Sequence, residues 1–212
     1  MQAYLNKNEV KTTLLTQLQS HYDADEIVKG RYWECGKGCA VGCTLHNSNH
    51  AEYETKLGIP EMLAHLEDTI FEGLPNDKAK QWPIRFSKAI KVGADLSRIG
   101  YQFMYWNLIE NLVLKDSDNA EVQKVIIQCR AAIAQCAEAI CPLTKGQPFD
   151  ESAAWSAAES AAWSAAESAE SAARSAAELV RSAAWSAPES AAESAAYEKM
   201  ADKLIELLEN AA

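Results

Sequence analysis

No stretch of this sequence approaches the roughly 20 consecutive apolar residues that a bilayer-spanning helix needs. The opening MQAYLNKNEVKTT also lacks the apolar run of a secretion signal. The chain is therefore expected to be cytoplasmic, with no membrane partner. Positive charge is scarce too: 20 Lys+Arg stand against 30 Asp+Glu, a net charge of −10. Residues 1–150 hold 16 Lys+Arg and 19 Asp+Glu, a net of −3, while residues 151–212 hold 4 and 11, a net of −7. Neither part offers the dense positive field that a phosphate backbone requires, which argues against a nucleic-acid partner. Glycine does not occur beyond Gly146. The C-terminal part thus lacks the residue that most readily interrupts a regular backbone.

What is present is apolar residues, 48% of the chain. Much of that is alanine, whose single methyl contributes only about 0.8 kcal/mol when buried. The large apolar residues concentrate before residue 150, which places the main core there. Six cysteines (Cys35, Cys39, Cys43, Cys129, Cys136 and Cys141) read as thiols or ligands in a reducing compartment rather than as a disulfide framework.

Periodicity predicts an all-α protein. Val10, Leu14, Leu18 and Tyr22 recur every four residues in a first helix, and Gly30 closes the turn that follows. Residues 30–50 form a glycine-punctuated loop in which Gly30, Gly36, Gly38 and Gly42 interrupt any regular element. A helix is expected from Pro60 to Phe71, with Met62, Leu63, Leu66 and Ile70 on its inner face. The next runs from Asn76 toward Ile90 and breaks or restarts at Pro83. Asp95 to Leu114, rich in aromatics, is assigned to the centre of the core. Asp118 and Glu121 make a capping box for a helix carrying Val122, Val125, Ile126, Cys129, Ile133, Cys136 and Ile140 on one side and ending at Pro142. Cys129 and Cys136 read as core residues.

The predicted organisation is a helical domain over 1–144, a linker at 145–149 around Gly146 and Pro148, and an Ala/Ser-repeat helical hairpin over 150–212. In residues 151–196 serine returns every four residues, with an occasional step of three. Alanine is the best helix former and serine costs only about half a kcal/mol more, so helix is favoured over disorder. Turning each residue by about 100° separates three sectors. One holds Trp155, Trp163, Arg174, Arg181, Trp185 and several glutamates, the second mostly serine, the third almost only alanine. The alanine face suits close approach of another helix, in the hairpin, on the first domain or on a second copy of the chain. The tryptophans and arginines are candidate anchors for a protein partner, set against simple packing on the main domain, the preferred reading of the tryptophans. Ser186-Ala187-Pro188-Glu189 should end one helix and begin the last, which presents Tyr197, Met200, Leu204 and Leu207 and folds back antiparallel.

The segment RYWECGKGCAVGCTLHNSNH carries the chemistry. Cys39, Cys43, His46 and His50 are possible zinc ligands, since thiolate and imidazole both suit that ion. Their spacing, C-x3-C-x2-H-x3-H, departs from the paired C-x2-C of common zinc modules. A straight helix over 39–50 would spread them along about 16 Å, so only a bent loop could close them on one ion. Packing of Cys39 and Cys43 as small apolar residues is the preferred reading; zinc comes second. A thiol nucleophile at Cys39 or Cys43, with His46 as base, comes third. Gly36-Lys37-Gly38 lacks the rest of a phosphate loop. His65, between Glu61 and Asp68, is half a metal site or a solvated helix face.

The block GRYWECGKGCAVGCTLHNSNHAEYETKLGIPEMLAHLEDTIFEGLP, continued by WPIRFSKAIKVGADLS, resembles a family of uncharacterised bacterial and phage-associated proteins that end in alanine-rich repeats. The resemblance covers residues 29–100 closely and the tail in style. It implies a prokaryotic, mobile-element setting and carries over no catalytic residue. The tail is also similar to alanine-repeat helices of immunity proteins in bacterial toxin systems. Together these readings favour a non-enzymatic interaction protein, regulatory, immunity-like or a phage accessory factor. A zinc-binding module at the Cys/His loop and a thiol-dependent enzyme follow as alternatives.

Overall fold

The computed structural model describes residues 2–111, 118, 120–145 and 188–212, with the side chains of 121, 122, 125, 132, 135, 136, 139 and 188–193 outside that description. The repeat segment, with Trp155, Trp163, Arg174, Arg181, Trp185 and the first arm of the expected hairpin, lies outside the described residues. So do the side chains that would test the capping box at Glu121. The described part is mainly helical, in the order α1 (Asn8–Asp23), β1 (Trp33–Glu34), β2 (Lys37–Gly38), α2 (Ala40–Leu45), α3 (Glu61–Gly73), α4 (Asn76–Ala89), α5 (Ile99–Trp106), α6 (Ala120–Thr144) and α7 (Pro188–Glu209). Two compact units result: Met1–Gly100 with Ser190–Ala212, and Tyr101–Glu189.

In the first unit, α4 lies against α1 and α3, and α2 is inserted so that it touches all three. Trp82, Phe71, Phe86, Leu18, Leu63 and Ile70 are among its fully buried side chains. The inner face of α1 is Leu14, Leu18 and His21, while Tyr22 is exposed. The stripe thus advances by four and then three, as a 3.6-residue period demands. On α3 the buried residues are Leu63, Ala64, Glu67, Ile70 and Phe71, leaving Met62 and Leu66 half-buried. Helix α4 runs unbroken through Pro83, contrary to the expected restart. Proline removes one N–H, but its ring is buried here and the flanking turns remain packed.

The expected loop at 30–50 contains regular structure. Strands β1 and β2 pair antiparallel, Trp33 opposite Gly38 and Glu34 opposite Lys37. Cys35 (φ 51°) and Gly36 (φ 79°) make the turn, both in the left-handed region that a two-residue hairpin demands. The short helix α2 follows directly. Two glycines explain how it fits: a Cβ on Gly38 would lie 1.9 Å from the Tyr32 carbonyl oxygen, and one on Gly42 only 1.4 Å from it. The bare glycine backbones let the Tyr32 carbonyl, just before β1, lie across the first turn of α2.

The last helix belongs to the first unit. Ala201, Leu204, Leu208 and Ala211 are buried, so the inner face runs through Leu208 rather than the expected Leu207, which is half-buried. The Tyr197 ring lies against Gly73, where a Cβ would come within 2.3 Å of it. Lys78 pairs with Glu198 at 2.7 Å and Arg85 with Asp202 at 3.0 Å. In the second unit, Phe103 and Trp106 are buried, and Trp106 Nε1 donates to Glu110 at 3.0 Å across a π-helical turn, Asn107–Asn111. Helix α6 continues past Pro142 to Thr144, two residues beyond the expected end, and buries Ala137, Ile140 and Leu143. Its Cys129 and Ile133 are half-buried. No helix among the described residues is long and apolar enough to cross a membrane.

Candidate functional site

Helix α2 and the segments around it hold all four histidines of the chain (His21, His46, His50 and His65), arranged as two pairs. Cys39 caps the N-terminus of α2, its sulfur accepting from Gly42 N at 3.5 Å. At the other end Gln17 Nε2 donates to the carbonyls of Cys43 (2.6 Å) and Thr44 (3.0 Å), satisfying groups a helix end leaves open. His46 then closes the helix in a left-handed conformation (φ 58°, ψ 30°).

The first pair joins α1 to this closing residue. His21 Nε2 and His46 Nε2 are 2.9 Å apart, and His21 Nδ1 lies 2.6 Å from Glu26 Oε2. An ionised Glu26 only accepts, so His21 carries its proton on Nδ1 and turns the Nε2 lone pair toward His46. Trp33 holds both rings: it stacks on His46 at 4.2 Å and meets His21 edge-on at 5.3 Å. Burial pulls the His46 pKa down, helped by His21 and by Lys56, so its imidazole is neutral at neutral pH.

The second pair is His50 stacked on His65 at 4.1 Å. His50 is buried; its Nε2 faces Asp68 at 3.6 Å and its Nδ1 lies 3.2 Å from the Ser48 carbonyl. Beside it Tyr53 donates to Glu67 Oε2 at 2.7 Å, and Trp82 Nε1 donates to the Glu67 carbonyl at 2.9 Å. Burial drives the Glu67 pKa up to about 8 against the pull of the Tyr53 hydrogen bond, with Asp68 adding to the rise. Among the described residues Thr44 Oγ1, His50 Nε2, Glu67 Oε1 and Asp68 Oδ1 are buried without a hydrogen-bond partner.

The structure does not bring the four expected ligands together. His46 turns to His21, and His50 turns to His65 and Asp68. The cysteines sit between, Cys39 and Cys43 each at most 1% exposed. The Cys43 sulfur donates to the Gly38 carbonyl at 3.3 Å. Burial raises both thiol pKa values, that of Cys43 to about 12 and that of Cys39 further still. Both are therefore protonated at neutral pH, which weighs against a nucleophile poised at either sulfur. No group of three or more His, Cys, Asp or Glu that could hold a metal ion occurs among the described residues.

His21, Glu26, Trp33, Tyr53 and Glu67 were not anticipated as site residues. The signal for His21 and Glu67 was available: each is a polar residue on an apolar helical stripe, His21 three after Leu18 and Glu67 four after Leu63. Glu26 and Trp33 come from a turn and a strand, whose approach to α2 no local period encodes. Comparison with known protein families, with curated proteins and with solved structures finds no match.

Proposed function

We propose that this chain is a non-enzymatic, cytoplasmic interaction protein, of the regulatory, immunity-like or phage-accessory kind, that captures a protein partner through the helix surfaces of its tail, residues 150–212. The observation that carries the reading is the docking of α7. Ala201, Leu204, Leu208 and Ala211 are buried in the first unit, so the chain returns from the repeat to a fixed seat. Seating the end that follows the repeat on folded structure lowers the freedom the segment surrenders on binding, compared with a free tail. In this reading the repeat supplies one arm of a helical hairpin and α7 the other. Trp155, Trp163 and Trp185, with Arg174 and Arg181, then act as anchors, since Trp and Arg dominate interface energetics. The buried, protonated state of Cys39 and Cys43 weighs against the thiol-enzyme alternative.

The test is partner capture by the full chain and by the triple variant W155A/W163A/W185A, with cross-linked species identified by mass spectrometry. The variant should lose the partners that the parent chain retains. Sedimentation of both proteins reads the remaining possibility, association of two copies through the alanine face. Equal recovery of the same partners by both proteins would sink the reading.

A further inference from the structure

The His21–His46 pair differs from ordinary aromatic packing in how its nitrogens point. Two Nε2 atoms face one another at 2.9 Å, and the far nitrogen of His21 is held by Glu26 at 2.6 Å. A carboxylate behind an imidazole fixes the tautomer and raises the basicity of the opposite nitrogen, the arrangement found behind metal-bound histidines. We infer that His21 and His46 form a two-point site for a borderline divalent transition-metal ion such as zinc, nickel or copper(II), with Glu26 as the orienting carboxylate.

The geometry needs little adjustment. Two metal–nitrogen bonds of about 2.0–2.1 Å in a tetrahedral arrangement set the nitrogens roughly 3.3 Å apart. The rings would open by a few tenths of an ångström, and the single proton of the neutral His46 ring would move from Nε2 to its solvent-facing Nδ1, freeing the Nε2 lone pair for the ion. Both ligands are positioned before binding. His21 is seated on the buried stripe of α1, and His46 is fixed by the left-handed closure of α2 and by the Trp33 ring stacked on it. Access is provided by one side only: the His21 side chain is 11% exposed, whereas His46 is open to solvent. Water completes the remaining coordination positions on that open side. Imidazole nitrogen without thiolate or a carboxylate in direct contact suits the later first-row divalent ions over magnesium or calcium. The nearby positive charge of Lys56 is offset by Glu52, with which it pairs at 2.6 Å.

The site is independent of the repeat segment, so the experiment separates it from the proposed partner capture. The full chain is titrated with nickel chloride in a calorimeter at neutral pH under reducing conditions without a chelating thiol. One saturable site of micromolar affinity is expected. H46N should weaken it at least tenfold while keeping a cooperative unfolding transition, because asparagine tolerates the left-handed backbone at this exposed position, although the stacking on Trp33 is lost. E26Q should weaken it about tenfold through loss of orientation. H65N, in the other pair, and W155A/W163A/W185A should leave it intact. Absence of saturable binding, or equal affinity in H46N and the parent chain, would overturn the assignment. Loss of binding in C35S would overturn it too, since the ligand would then be the exposed thiol at the hairpin turn.

Discussion

Glu67 sits where the period of α3 places an apolar side chain, fully buried between Leu63 and Ile70. Its carboxyl takes up a proton in the folded chain at about 8, against an ordinary value of 4.5. The sign of the consequence follows from proton counting. Between these two values the folded state holds a proton that the unfolded state has released, so stability falls as pH rises and levels off above about 8. The contribution of this side chain is thus complete below the unfolded pKa and lost through the window above it. One proton sets an upper slope of about 1.4 kcal/mol per pH unit. Glu67→Gln keeps an acceptor for Tyr53 and removes the titration. Urea unfolding of the two proteins across mildly acidic to mildly basic pH should show the variant gaining on the parent as pH rises. A difference that does not change with pH would mean that Glu67 is ionised in the fold.

At the scale of elements, α2 is held by close backbone approach more than by its own six residues, which are too few to be stable alone. Gly42 lets the Tyr32 carbonyl cross the first turn at a distance no Cβ permits. Gly42→Ala should therefore cost about 3–5 kcal/mol, the range of gross core disruption. Gly30→Ala makes the useful comparison. Gly30 has a positive φ of 77° but open space around it, so only backbone strain of about 1–2 kcal/mol is expected. Equal losses in the two variants, read as urea midpoints, would refute the close-approach account. The same element shows where sequence reasoning stopped. Helices α1, α3, α4 and α6 were legible because each repeats apolar residues over three or more turns. A six-residue helix with a glycine inside it carries no such period, and residues 30–50 accordingly read as loop. Cys39 and Cys43 were rightly expected to pack as apolar residues, for their neighbours Ala40, Val41 and Leu45 said as much. The pairing of His21 with His46 was hidden because it joins residues 25 apart in sequence through an irregular turn. Pro83 misled in the opposite direction, since a proline argues for a break unless its ring has somewhere to be buried.

For the molecule as a whole, the decisive contact is long-range: α7 returns after the repeat to complete the first unit. Two kinds of interaction fasten it, and their magnitudes differ enough to rank them. Arg85–Asp202 is an exposed pair, its side chains 43% and 74% accessible, and such pairs contribute about 0–1 kcal/mol once solvent screening is counted. Leu204 is fully buried, and truncating a leucine of that kind costs about 2–5 kcal/mol. Leu204→Ala should therefore lower the unfolding midpoint of the first unit far more than Asp202→Ala, and a double-mutant cycle across Arg85 and Asp202 should give a coupling below about 1 kcal/mol. The consequence reaches the proposed activity. If partner capture depends on a repeat segment tied down beyond its end, L204A should weaken capture even though residue 204 lies outside the repeat, whereas D202A should leave it nearly unchanged. A reversed order, with the charge deletion doing the greater harm, would show that α7 is held electrostatically and that its apolar seat is incidental.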